Sequence, residues 1–65
     1  MQKSYGLYRE NDLVLVMASR TQKELSPKPN EIIRCFTGVT PHQLFNLTYA
    51  QAVRLENDLA SNSNN

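Results

Sequence analysis

Two side chains in this 65-residue chain are suited to nucleophilic or metal chemistry. They are Cys35 and His42, and each type occurs once. As a catalytic pair they would have to meet in an electropositive, accessible cleft, with a third group orienting the imidazole. Cys35 stands in the apolar run Ile32-Ile33-Arg34-Cys35-Phe36, where a thiol serves as a small core hydrophobe. His42 falls in the first turn of an expected helix, where the helix dipole opposes a positive charge. The two are therefore not read as a nucleophile and its base. Glu10 and Asp12 flank Asn11 and could do acid–base work as a carboxylate pair. So small a chain offers little enclosed volume to shift their ionisation. A solvated turn is the better reading, and the spacing is not that of a calcium-binding loop. Gly6 and Gly38 form no phosphate-cradling loop. The sequence predicts no catalytic residue, no cofactor and no metal site.

Recognition is the remaining chemistry. Tyr5, Tyr8 and Phe36 with Arg9 and Arg34 could make an aromatic, basic sheet surface of the kind that stacks unpaired bases. With five aromatic residues in all, burial of most of them is the stronger expectation. A patch of Tyr8, Arg9, Arg20 and Arg34 is the candidate partner-binding surface, because tyrosine and arginine most often carry interface energy. An exposed sheet edge is a second candidate.

The bulk composition limits what can hold these groups. Hydrophobic residues make up 40%, charged residues 20%, and the net charge is +1. One small domain fits these numbers. A domain of this size buries only about 60% of its unfolded surface. A single cysteine excludes an internal disulfide, so a partner or a homodimer could add stability. Residues 1–34 hold six basic and four acidic side chains, too slight a surplus for a nonspecific nucleic-acid binder. The longest apolar run, Leu13 to Ala18, is shorter than the roughly 20 residues that span a bilayer. No apolar segment follows Lys3 as in a signal peptide. A cytoplasmic setting is expected, which makes the sequon Asn46-Leu47-Thr48 a coincidence.

The expected elements follow from local patterns. Residues 4–18 read as a β-hairpin, with the turn at Glu10-Asn11-Asp12. Leu13 to Met17 is apolar at both parities, which predicts a central strand covered on both faces. Ser19…Gln22 and Thr21…Glu24 each fit a capping box and predict a short helix. Pro27 and Pro29 end it as a rigid connector. Residues 31–37 have strand composition between helix-like flanks, Asn30 and Gly38. Strand is preferred, since a third strand makes a hairpin into a sheet. Thr40-Pro41-His42-Gln43 is a helix start, with Val39 and Leu44 as its hydrophobic staple. Thr48…Gln51 starts a second helix, about 48–60, whose stripe is Tyr49, Ala52, Val53, Leu55 and Leu59. The predicted fold is α+β, a small antiparallel sheet packed on this C-terminal helix, with residues 1–60 as the domain and 61–65 as a flexible polar tail.

Two functions follow. The leading expectation is a small non-enzymatic regulator, adaptor or inhibitor that binds a protein partner stoichiometrically. Its size and class fit inhibitors carried by phages and other mobile elements. The alternative makes residues 31–37 a helix, so that residues 30–47 outline a helix-turn-helix. His42, Gln43 and Asn46 would then face DNA, since glutamine and asparagine read adenine. Arg34 departs from that motif, and the second helix lacks a basic residue for phosphates.

Overall fold

A computed structural model describes residues 2–62. Three strands form one antiparallel sheet: β1 (Lys3–Arg9), β2 (Leu15–Ser19) and β3 (Glu31–Thr37). Two helices follow, α1 (Pro41–Phe45) and α2 (Tyr49–Asn62). A single 3-10 turn (Gln22–Glu24) interrupts the connection from β2 to β3.

The α+β architecture of a sheet packed on the C-terminal helix is the one the sequence predicts, and residues 31–37 are strand. The strand order corrects one expectation. It is β2-β1-β3, so β1 is central and Leu13 to Met17 borders the edge. Val14, Val16 and Met17 are each close to half exposed. An apolar run shows that a strand has apolar surroundings, not how many strands flank it. Here β3 returns across residues 20–30 to pair with β1, from Lys3↔Thr37 to Arg9↔Glu31, rather than with residues 13–17.

Pleating then sorts the side chains. Ser4, Gly6 and Tyr8 of β1 share a face with Arg34, Phe36 and Ala18. The core lies between this face and the helices: Tyr8, Ala18, Phe36, Val39, Leu44 and Ala52. Tyr8, Phe36 and Tyr49 meet edge to face, with the Tyr8 and Tyr49 ring centres 5.0 Å apart, a favoured aromatic geometry. The stripe on α2 packs as its spacing predicts: Ala52 is buried, and Tyr49, Val53, Leu55 and Leu59 lie partly buried against it. On the opposite face, Leu7 and Leu25 are buried, and Ser19 donates to the Glu24 carboxylate at 2.6 Å. The 20–30 connection thus folds back over that side.

Capping follows the sequence at both helices. Thr40 Oγ1 accepts the Gln43 N–H, and Gln43 Oε1 accepts the Thr40 N–H. Thr48 and Gln51 repeat the exchange. The two boxes expected around Ser19 and Thr21 do not form. Ser19 accepts the Thr21 N–H and turns its own proton to Glu24, leaving only one 3-10 turn. Gly38 has φ 85°, a region open to glycine, where the chain leaves β3 for α1. Of the expected tail, residues 61–62 belong to α2, and residues 63–65 lie outside the described residues.

Candidate functional site

The chemistry-bearing residues are not brought together. Cys35 is exposed, which corrects its expected place in the core. Register pairs it with Tyr5, on the face away from the Phe36 ring and the helices. His42 belongs to α1, on the other side of the sheet. Both strand faces of β3 carry apolar residues, so composition alone could not say which way the thiol points. Glu10 and Asp12 are exposed turn residues. Asp12 accepts from Arg9 Nε at 3.1 Å and forms an ion pair with Arg9 Nη2. It also accepts the Val14 N–H, so its carboxylate closes the hairpin. The Arg9 guanidinium holds the Asp12 carboxyl below its ordinary range. Among the described residues, no group of three His, Cys, Asp or Glu side chains is placed to hold a metal ion.

The expected patch of Tyr8, Arg9, Arg20 and Arg34 is also divided. Tyr8 is 0% exposed and belongs to the core, which corrects its assignment to a binding surface. Arg34 lies over two core rings, 5.0 Å from the Phe36 centre and 5.6 Å from that of Tyr49. Its guanidinium donates to Tyr49 Oη and to Glu56. It is a structural cation, half-buried where the sheet meets α2. Arg9 ends β1 beside the hairpin turn. Arg20 follows Ser19, which pairs with Tyr5, so it stands toward the other end of the sheet, bonded to Gln2.

The residues of the DNA-reading alternative are exposed, but two are already occupied. Gln43 is spent on the α1 capping box, and Asn46 Nδ2 donates to the His42 carbonyl. Glu31–Thr37 is β3, so the two-helix outline over residues 30–47 is not formed, and α1 has only five residues.

What the fold does build is an apolar groove of ≈ 600 Å³. One wall is the hairpin exit, Leu13, Val14 and Leu15. The other is the α1–α2 junction, with Leu44, Phe45 and Leu47. Asp12 and Thr48 supply polar atoms at its margin. Phe45 is 59% exposed, the most exposed of the large hydrophobic residues here. Leu13 has φ 55°, a costly conformation for a leucine. Its N–H donates to the Arg9 carbonyl at 2.7 Å, and its side chain packs at the edge of the core. An unfavourable backbone is thus held where the groove needs a wall.

Compared with known proteins, the chain matches no family model, no curated protein and no solved structure.

The sequence pattern marks Leu44 as a staple residue but gives Phe45 no role. The available signal was the adjacent pair Leu44-Phe45 in a helix of little more than one turn. Neighbouring helical residues point about 100° apart. If Leu44 enters the core, Phe45 faces outward.

Proposed function

We propose that this chain is a non-enzymatic protein-binding regulator, an adaptor or inhibitor, that acts stoichiometrically on a protein partner. The contact is made at the groove between Leu13–Leu15 and Leu44–Leu47, which takes an apolar side chain from the partner. The observation that carries this reading is Phe45, mostly exposed at the lip of that groove. An exposed aromatic ring beside a concave apolar surface gains free energy when a partner removes both from water. The Asp12 and Thr48 groups beside it suit the polar rim of such a contact. A cytoplasmic setting belongs to the same proposal, since the exposed Cys35 thiol stays reduced there. Among the described residues no helix is long and apolar enough to cross a membrane. The DNA-binding alternative has no comparable support, because the helix that would open its motif is a strand.

The test is affinity capture with the full chain from the cells that make it, followed by light scattering of the reconstituted complex. A discrete complex of fixed ratio supports the reading. Recovery of no macromolecule, together with turnover of a small molecule, overturns it.

A further inference from the structure

Among the described residues, two hold a left-handed backbone. One is Gly38, φ 85°, where glycine meets the need without steric cost. The other is Leu13, φ 55°, whose β-carbon crowds the backbone in that region. Leu13 has no room to relax. Its N–H donates to the Arg9 carbonyl at 2.7 Å, and the Arg9 N–H donates to the Val14 carbonyl at 3.0 Å. Asp12 closes the same turn, accepting from Arg9 Nε and from the Val14 N–H. The turn therefore imposes the conformation at position 13, and glycine is the residue that adopts it at least cost.

Stability alone does not account for a leucine there. Its side chain is only half-buried, at the margin of the core. It gains part of the burial open to a leucine and keeps the whole of the backbone strain. What the side chain does supply is a wall. Leu13, Val14 and Leu15 line one side of the groove, with Leu44, Phe45 and Leu47 on the other. A glycine at position 13 would leave the turn as it is and take away that part of the wall.

We propose that Leu13 is a specificity-determining residue of the groove, kept in a strained backbone because its side chain shapes the surface that the partner's apolar side chain enters. The hydrogen bonds of the turn hold that wall in place before a partner arrives, so none of its ordering is left to the moment of binding. This rests on the partner-binding reading of the groove and adds which residue sets its shape. The consequence is an uncommon combination, a substitution that eases the backbone and harms binding.

The test uses the full chain with the neutral apolar dye Nile red, whose emission brightens in apolar surroundings, alongside thermal unfolding. The parent is expected to bind the dye, and Phe45→Glu at the groove's lip is expected to lose it. Leu13→Gly is expected to unfold close to the parent's temperature, because relief of strain offsets the lost contacts. It is expected to bind the dye about tenfold more weakly, or worse, as for other losses from an apolar pocket. Leu13→Ala loses most of the same side chain and keeps the β-carbon. It is expected to unfold below Leu13→Gly, which isolates the backbone strain. Leu13→Gly that unfolds below Leu13→Ala overturns the proposal, since position 13 is then not strained. So does Leu13→Gly that binds the dye as tightly as the parent while Phe45→Glu does not, a result that leaves the groove reading standing. Dye binding untouched by both substitutions, or absent from the parent, removes the groove reading and this proposal together.

Discussion

The carboxylate of Glu56 accepts the backbone N–H of Thr37 at 2.8 Å. The same carboxylate pairs with Arg34 across 3.4 Å. One side chain thus fastens α2 to the last residue of β3, satisfies an outward-facing sheet donor and balances a half-buried cation. Removing it leaves both groups short of a partner. Glu56→Ala is expected to cost about 1–3 kcal/mol, the usual penalty for stranding such groups. Thermal unfolding would show this as a drop of roughly 4–8 °C per kcal/mol. Glu56→Gln keeps an acceptor for Thr37 and is expected to lose less.

Gly6 lies under the Tyr8 ring. A Cβ at Gly6 would stand 2.6 Å from Tyr8 Cε2, closer than atoms can pack. Neither residue can move freely, since Gly6 is held in two ladders, to Ala18 and to Arg34. Gly6→Ala is expected to destabilise the fold by about 1–3 kcal/mol through overpacking. Urea unfolding at equilibrium would measure it, and Gly6→Ala with Tyr8→Leu is expected to recover part of the loss.

The Tyr8 hydroxyl is buried with no hydrogen-bond partner among the described residues. Burial, aided by Tyr49, raises its pKa. A raised pKa means that the neutral phenol is favoured by folding. That contribution is complete below the ordinary tyrosine pKa of about 10 and is lost as pH climbs through the folded value. Tyr8→Phe removes an unsatisfied polar group, so it is expected to be neutral or slightly stabilising at pH 7. The variant should also lose less stability than the parent above pH 10, as followed by thermal unfolding across alkaline pH.

Asp12 works in the opposite direction. Arg9 and the Val14 N–H favour its charged form. The stability it lends is present above the ordinary carboxylate range and fades as pH falls through its lowered folded value. Carboxyl NMR shifts are expected to show Asp12 titrating below the ordinary range of an aspartate. Asp12→Asn keeps one acceptor for the Val14 N–H and removes the ion pair. Its hairpin amides should exchange faster, with little change in global unfolding because the pair is exposed. Exchange rates unchanged in residues 9–14 would mean that Asp12 does not close the turn.

Much of the fold was legible because its signals are local. Thr40-Pro41-His42-Gln43 and Thr48…Gln51 marked two helix starts through chemistry within one turn, and both capping boxes form. The α2 stripe was readable for the same reason. Strand order was not, because it depends on where residues 20–30 carry the chain. That choice put Leu13 to Met17 at the sheet's border and exposed Cys35. The site was less legible still. Tyr8 and Arg34 have interface-prone side chains, but the pleat of β1 and β3 turns both toward the helices. Phe45 is exposed because it stands one helical step from buried Leu44, a matter of one residue's rotation that composition does not report.

In the proposed function, this protein meets its partner at the groove beside Phe45. The most direct measurement compares capture by the parent chain with capture by Phe45→Glu, each shown by circular dichroism to be folded. Phe45 is mostly exposed, so the substitution is expected to leave the fold intact while abolishing recovery of the partner. Undiminished recovery of that same partner by folded Phe45→Glu would contradict the claim.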